Sequence, residues 1–226
     1  MASSAQMRAP QEVTIRCGHV RLGGQLGVPS SPLGVAVFAH GSGSGRFSPR
    51  NNFVASWLQQ GRVATLLIDL LTPDEAEDRR KIFDIDLLAD RILSAKVWLE
   101  QDDRTRGLGI GYFGASTGAG AALQAAARDP SSIRAIVSRG GRPDLAEQYL
   151  PSVTAPTLLI VGGNDKPVIE MNRTAYRLLS CPKRLMIVPG ASHLFEETGT
   201  LEEVARQALD WFQRHFYQVP HADADT

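Results

Sequence analysis

A serine flanked by glycines at two-residue spacing lies near the middle of the chain, in the sequence Gly-Ala-Ser-Thr-Gly at residues 114–118. This pattern is typical of a nucleophilic serine on a sharp turn between a strand and a helix, because glycines two residues before and after it remove side chains that would collide there. An apolar run ends at Phe113 and small residues follow Thr117, so the order strand, turn, helix is present. The alternative is a purely structural glycine turn. We predict that Ser116 is a nucleophile and that the helix N-terminus beneath it favours developing negative charge.

A serine hydroxyl needs a base to take its proton at neutral pH, so the chain must supply a histidine. The five histidines are His19, His40, His193, His215 and His221. Only His193 follows an apolar, strand-like run and precedes the final helix, in the loop Pro-Gly-Ala-Ser-His at residues 189–193. An ordinary solvated loop histidine is its alternative role. We predict that His193 is the general base.

The third member of the predicted site is a carboxylate that orients the histidine. Asp165 follows the apolar run 157–161 in the sequence Gly-Gly-Asn-Asp and so emerges at the carboxyl edge of a parallel sheet, where ligands bind in open α/β folds. Its alternative role is a solvated turn carboxylate. The rival acid is Asp144, which follows the preceding strand and is expected to cap the next helix. We predict Asp165, and the chain order becomes Ser116, Asp165, His193.

A glycine-rich loop, His-Gly-Ser-Gly-Ser-Gly at residues 40–45, follows another apolar run and opens onto the same edge. Acyl transfer builds an oxyanion that two preorganised N–H groups must meet, and one such donor contributes about 3–4 kcal/mol in a measured enzyme. We assign these donors to the backbone of Thr117 and Ser42, with Gly41 as the alternative position. The competing interpretation is a nucleotide-binding loop, but the Gly-Lys-Ser/Thr ending and the G-x-G-x-x-G spacing are missing.

Three further residues are predicted substrate contacts. Arg46 and Arg139 lie in loops expected at the catalytic edge, where they can meet a substrate carboxylate; solvated arginines are the alternative. Gly41 is expected to bring its backbone close to the substrate.

The elements that must position these residues are visible in the hydrophobic pattern. Short runs that are apolar at nearly every position are typical of strands buried on both faces of a parallel sheet. They lie at residues 35–39, 64–68, 108–113, 135–137, 158–161 and 185–188. Residues 13–17 and 20–27 predict an antiparallel hairpin before them. The fold class is therefore α/β, a doubly wound, mostly parallel sheet of about eight strands with an N-terminal antiparallel hairpin.

Helical spacing separates these runs. Apolar residues at steps of three and four predict a helix over residues 85–100, with one stripe facing the sheet. In the last helix, Thr200 followed by Glu203 predicts a capping box, in which each side chain binds a backbone N–H near the other. The charged segment 71–81 is interpreted as a solvated surface loop. We expect a single domain at residues 11–218, with frayed ends at 1–10 and 219–226.

Composition limits the classes of partner. The 226 residues include 24 basic and 24 acidic side chains, and this zero formal charge argues against nucleic acid or an anionic membrane as a partner. Because neither a signal-like segment nor a membrane-length apolar run is present, we expect a cytoplasmic protein, a monomer or homodimer that acts on a small molecule. Cys17 and Cys181 suit reduced thiols better than a disulfide framework, although one bridge stays possible. No metal-site pattern is present.

These motifs resemble the α/β-hydrolase superfamily and, within it, the dienelactone-hydrolase-like group of small bacterial enzymes. The resemblance spans residues 12–216 and rests on four short motifs. They are His-Gly at 40–41, Gly-Ala-Ser-Thr-Gly at 114–118, Gly-Gly-Asn-Asp at 162–165 and Ser-His at 192–193. Dienelactone hydrolases proper carry a cysteine nucleophile, whereas this chain has Ser116, so the resemblance implies a general carboxylic ester as substrate.

The expected reaction is two-step acyl transfer through an acyl-enzyme on Ser116, without a cofactor. The same groups serve a thioesterase, an acyltransferase or a peptidase, and the fold also suits a non-catalytic small-molecule-binding protein or a nucleotide-binding protein. Members of the superfamily often insert a cap domain after the sixth strand. Here that connection has room for one helix, near residues 145–150, so we expect no large cap domain and an open site for small esters.

Overall fold

The computed structural model describes residues 9–217. Eight strands form one sheet in the order β1-β2-β4-β3-β5-β6-β7-β8. They are β1 Gln11–Cys17, β2 Val20–Gly27, β3 Gly34–Ala39, β4 Val63–Ile68, β5 Ile110–Ala115, β6 Ile133–Arg139, β7 Thr157–Gly162 and β8 Lys183–Val188. β2 pairs antiparallel with β1 and β4, and all other neighbours are parallel, which confirms the predicted sheet and hairpin. The expected frayed ends lie outside the described residues, except for residues 9 and 10.

Helices cover both faces of the sheet. They are α1 Pro49–Gln60, α2 Pro73–Ala76, α3 Arg79–Ile82, α4 Ile85–Gln101, α5 Thr117–Arg128, α6 Lys166–Leu178 and α7 Thr200–Phe216, with a 3₁₀ segment at Pro143–Ser152. That segment is the only helix between β6 and β7, so no large cap domain is inserted there. None of the helices in the described range is both long and apolar enough to cross a membrane.

The central strands are buried along their whole length because side chains alternate between two apolar layers. In β5, Phe113 packs with α1 and α7, whereas Tyr112 packs with α4 and α5 on the opposite face. The predicted apolar stripe of α4 is buried as expected, at Ile85, Leu88, Ile92, Ala95 and Leu99. Cys17 and Cys181 are both free and buried, as predicted.

The predicted capping box of the last helix is wrong. The N-cap of α7 is Gly199, in a left-handed conformation with φ +81°, so Thr200 is already the first helical residue. From there the Thr200 hydroxyl donates to the Glu197 carbonyl, and the Glu203 carboxylate accepts from Arg206 instead of from the backbone. A capping side chain must lie one residue before the helix, and here glycine takes that place.

Parallel strands bring the predicted site residues to one edge of the sheet. β3, β5, β6, β7 and β8 all run in the same direction, so the loops that follow them open on the same side. Those loops contain residues 40–45, Ser116, the turn after Arg139, Asp165 and residues 189–193.

Candidate active site

Ser116 occupies a strained turn between β5 and α5. Its backbone has φ 50° and ψ −123°, a region that residues with a side chain rarely adopt and that costs about 1–3 kcal/mol. Every residue from Ile110 to Ala126 is buried except Ser116, which is half-exposed. The strained backbone therefore belongs to the one residue, Ser116, whose side chain is exposed in an otherwise buried segment.

The two glycines of the Ser116 motif are required by close backbone contacts. A Cβ on Gly114 would lie 2.4 Å from the Cα of Ala119, and a Cβ on Gly118 would lie 2.3 Å from the carbonyl oxygen of Ala39. Both obstacles are backbone atoms, so neither can yield by a change of rotamer. The glycines are thus what allows β5, α5 and β3 to meet at this turn.

His193 and Asp165 form a direct acid–base pair. The Nδ1 atom of His193 lies 2.6 Å from the Oδ2 atom of Asp165, whose side chain is only 13% exposed. With Nδ1–H donated to the carboxylate, Nε2 of the neutral ring is the acceptor that faces away from Asp165. Asp144, the rival acid, instead binds the Arg142 guanidinium at 2.7 Å. Its predicted capping role is also wrong, since Arg142 is the N-cap of the 3₁₀ segment.

His193 and Ser116 approach each other around the end of β6. The Ser116 N–H donates to the Arg139 carbonyl, and a Cβ on the next residue, Gly140, would lie 3.6 Å from the His193 ring. Within residues 9–217 no hydrogen bond joins the Ser116 hydroxyl to the imidazole. Catalytic hydrogen bonds are often long in unliganded sites and shorten when substrate binds. Gly140, with φ +52°, is a site residue that the sequence motifs did not single out.

The loop that bears His193 is joined to the Asp165 loop by hydrogen bonds. The Asn164 amide group donates to the Gly190 carbonyl at 2.8 Å, and the Asn164 N–H donates to the Ala191 carbonyl at 2.9 Å. On the other side, the Glu197 carboxylate accepts the Ser192 N–H at 3.0 Å, a bond that lowers the pKa of Glu197. These contacts hold the base and its acid in one rigid unit.

Of the two predicted oxyanion donors, the Ser42 N–H is occupied by the side chain of Thr117. The Ser42 N–H donates to the Thr117 hydroxyl at 3.0 Å. The Thr117 N–H is at the first position of α5, where a helix offers no carbonyl partner. The backbone of Gly41 lies close to Ser116, because a Cβ there would lie 2.9 Å from the Cβ of Ser116. In this arrangement the Ser42 N–H is therefore bonded to Thr117 and not free for a ligand.

Hydrogen bonds of the His40 ring connect the glycine-rich loop to the end of β4. Its Nε2 accepts the Leu70 N–H at 2.9 Å, so Nδ1 carries the proton and donates to the Gly41 carbonyl at 2.9 Å. Burial lowers the pKa of His40, although the Gly41 hydrogen bond and the Asp69 carboxylate act in the opposite direction. His40 is therefore a neutral structural histidine.

The two arginines predicted to contact substrate are both engaged elsewhere. The Arg46 guanidinium pairs with Asp69 and lies 3.4 Å from Glu12. The backbone N–H of Arg46 also donates to the Asp69 carboxylate. Arg139 is buried between α1 and the His193 loop, where it donates to Asn51 at 3.3 Å and faces Phe195. In the described residues no carboxylate lies within 4 Å of this guanidinium. Burial, with the nearby Arg50 charge, lowers the pKa of Arg139 to about 10.

A cavity of about 360 Å³ lies beside Ser42 and Thr117. One wall is residues 71–82. Most charged side chains of the predicted surface loop 71–81 are exposed, as expected, but the segment is not a loop throughout. It forms α2 and α3, whose apolar residues line the cavity while the Glu75 carboxylate is buried against Arg91. The sequence signal was the apolar set Leu71, Pro73, Ala76 and Ile82, dispersed among the charges.

No group of three His, Cys, Asp or Glu residues in residues 9–217 is arranged to hold a metal ion.

Similar proteins carry the same fold. A family model described as PET hydrolase-like matches residues 86–220. The crystal structure of a dienelactone hydrolase from Anabaena variabilis is 55% identical with a TM-score of 0.88, and the match covers 92% of this chain and 99% of that one. An α/β serine hydrolase without a lid from Xanthomonas campestris shares the fold at 17% identity and a TM-score of 0.76, over 94% of this chain and 97% of that one.

A longer relative bears a different name. The Mycobacterium tuberculosis protein named "Putative phosphoribosyl transferase" is 55% identical over 205 residues, which are 91% of this chain and 46% of that protein. The chain thus spans about half the length of the curated relatives it matches.

The buried His40 predicts an acid-sensitive fold. Because its pKa is lower in the folded state than the ordinary 6.5, its stabilising contribution is complete above about pH 6.5 and is lost as the pH falls through the lowered folded pKa. We expect the free energy of unfolding to fall more steeply over about pH 8 to 5 in wild type than in His40→Gln, by at most about 1.4 kcal/mol per pH unit. Urea unfolding across this range is the measurement. His19→Gln, at an exposed histidine, is the control, and equal slopes for wild type and His40→Gln would contradict the assignment.

The buried Arg139 predicts that this charge costs stability. At pH 7 the guanidinium is charged and lacks a carboxylate partner, so Arg139→Met is expected to leave the free energy of unfolding unchanged or to raise it by about 1–4 kcal/mol. Chemical denaturation at pH 7 measures this. Arg139→Lys keeps a buried charge and is the matched control, expected to be no more stable than wild type. A clear loss of stability in Arg139→Met would mean that the Asn51 and Phe195 contacts outweigh the burial cost.

Proposed function

The chain belongs to the α/β-hydrolase superfamily, in its dienelactone-hydrolase-like group, and from that membership we propose that it is a serine hydrolase that cleaves small carboxylic esters. One observation carries the proposal: the half-exposed hydroxyl of a strained strand-to-helix turn lies at the same edge of the sheet as a histidine that is bonded at 2.6 Å to a largely buried carboxylate. Ser116 is the nucleophile, His193 the general base and Asp165 the residue that orients it.

In the first step, Nε2 of His193 takes the proton of the Ser116 hydroxyl while the serine oxygen attacks the ester carbonyl carbon. The carbonyl oxygen becomes an oxyanion, which the N–H groups of Thr117 and Ser42 stabilise once the Thr117 side chain has released the second donor. The tetrahedral intermediate collapses, the bond to the leaving oxygen breaks, and His193 gives its proton to the departing alcohol.

In the second step, His193 takes a proton from water, and the resulting hydroxide attacks the acyl-enzyme. A second oxyanion forms in the same place, the bond to the Ser116 oxygen breaks, and His193 returns the proton to the serine. Asp165 remains ionised throughout and stabilises the imidazolium that forms in each step. The reaction consumes one water and needs no cofactor.

Ester hydrolysis is proposed over the activities that use the same residues because no specific contact in the described site selects a thiol, amine or sugar acceptor. Dienelactone is not the proposed substrate. Ser116 replaces the cysteine of dienelactone hydrolases proper, and Arg46 is neutralised by Asp69, which lines the cavity.

Phosphoribosyl transfer, the activity in the name of the longer relative, has little support in this chain. A phosphoribosyl donor carries several phosphate charges, and proteins commonly hold these with lysine and arginine side chains. Among the described residues that line the cavity, Asp69 is the one charged side chain. The relative is about twice as long as the match, so its name describes more than the part shared with this chain.

Replacement of the nucleophile tests the proposal. Ser116→Ala is expected to lower kcat for 4-nitrophenyl acetate by at least about 10³-fold and to abolish labelling by a fluorophosphonate, because the oxygen that attacks the ester and the label is removed. Spectrophotometric release of 4-nitrophenol and gel detection of the label are the measurements.

The matched control is Ser94→Ala, at a serine on α4 whose hydroxyl binds the Asp90 carbonyl, and it is expected to retain wild-type rates and labelling. Hydrolysis and labelling that survive in Ser116→Ala would overturn the proposal. Wild-type protein that neither hydrolyses esters nor takes the label would point to a non-catalytic binding protein instead.

A further inference from the structure

We propose that the α2–α3 segment, Pro73–Ile82, is the wall of an acyl-binding pocket that selects uncharged, apolar acyl groups. The inference rests on the proposed function and names its substrate class. The pocket is the cavity of about 360 Å³ beside the glycine-rich loop at residues 40–45. Its volume is within the size range of small-ligand sites.

The position of the cavity assigns it to the acyl side of the ester. His193 must lie next to the leaving oxygen, because it gives that oxygen a proton. Ser42, Gly43 and Thr117 line the cavity, whereas His193 and the end of β6 do not. The leaving alcohol therefore extends toward the His193 loop. The remaining substituent of the carbonyl carbon, the acyl chain, is the part that points into the cavity.

The lining is apolar where the acyl chain would extend. Leu70, Leu71, Pro73, Ala76, Ile82 and Leu88 all contribute to it. Each methylene that such a surface removes from water adds about three- to fourfold to kcat/KM as long as the cavity has room. Because the cavity is finite, the gain ends at medium chain lengths.

The side chains that line the cavity disfavour an anionic acyl group. Asp69 is the one charged side chain among the described lining residues, and it is already paired with Arg46. The Glu75 carboxylate, on the same segment, is directed to Arg91 at 3.0 Å and away from the cavity. A carboxylate at the far end of the acyl chain would lose water here without meeting a cation, which is unfavourable.

The wall is anchored to the core, although α2 and α3 are too short to be stable helices alone. Glu75 and Thr72 form a capping box that closes the first turn of α2, with bonds of 3.0 and 3.3 Å. The same Glu75 pairs with the buried Arg91 of α4, whose other nitrogen donates to the Cys17 carbonyl at 3.2 Å. This buried pair connects the segment to α4 and β1, so the pocket has a defined shape.

A series of 4-nitrophenyl esters tests the pocket with one leaving group. We expect kcat/KM to rise from acetate to hexanoate by at least about tenfold and to rise no further for dodecanoate. The monoester of adipic acid has the hexanoate chain length with a terminal carboxylate, and we expect it to react at least about tenfold more slowly than hexanoate.

Two wall variants examine the assignment directly. Ala76→Phe fills the cavity from a solvent-exposed position and is expected to lower the ratio of kcat/KM for hexanoate to kcat/KM for acetate at least about tenfold. Ile82→Ala enlarges the cavity and is expected to move the optimum to longer chains. Val97→Phe, at an exposed site on α4 away from the cavity, is the control and is expected to keep the wild-type ratio. For 1-naphthyl acetate, which is bulky on the alcohol side, kcat/KM relative to 4-nitrophenyl acetate should be the same in Ala76→Phe and wild type.

The possible results separate this inference from the proposed function. Ser116-dependent cleavage of acetate without an acyl-chain preference, or equal rates for hexanoate and the adipate monoester, overturns the acyl pocket and leaves the hydrolase intact. A selective loss of naphthyl acetate activity in Ala76→Phe means that the cavity holds the alcohol, which also overturns it. Failure of the wild type to cleave any of these esters overturns both proposals.

Discussion

The backbone turn at Ser116 places a residue with a side chain in a conformation that favours glycine, and the surrounding packing holds it there. α5 comes so close to β5 and β3 that glycine alone fits at positions 114 and 118. Buried strands on both sides supply the stabilisation that offsets the strain. Because backbone contacts hold the turn in place, the Ser116 hydroxyl has a fixed direction. The other loops of the site surround it.

The remaining groups of the site depend on the parallel sheet. Its strands end at a common edge, so side chains far apart in the sequence come within hydrogen-bond distance, and Asp165 and His193 do so across the loops after β7 and β8. Several hydrogen bonds from backbone and side-chain amide groups join these two loops. Rigid positioning of this kind is what general-base catalysis needs, since a misplaced base loses most of its effect.

The charges of the site are divided between two sides of the sheet edge. On the side of α1 and α7, Arg139 is buried behind the His193 loop without a carboxylate partner in the described residues. On the opposite side, the cavity is apolar and its one charged lining residue, Asp69, is neutralised by Arg46. The predicted role of the two arginines as carboxylate contacts therefore finds no support in their surroundings, and an apolar acyl group suits the cavity better.

Local sequence was sufficient to predict most of the strands and helices and to single out Ser116, Asp165 and His193 as candidates, because short apolar runs and glycine spacing are properties of neighbouring residues. The mostly parallel sheet, its N-terminal hairpin and the apolar stripe of α4 were predicted in the same way, whereas the order of the strands was not. Long-range contacts were decided by the tertiary structure alone: the bond between Ser42 and Thr117, the engagement of Arg46, the burial of Arg139 and the folding of residues 71–82 into a pocket wall. A charged segment looks solvated in sequence, and only the ion pair with the buried Arg91, 16 residues further along the chain, shows that the Glu75 carboxylate faces inward.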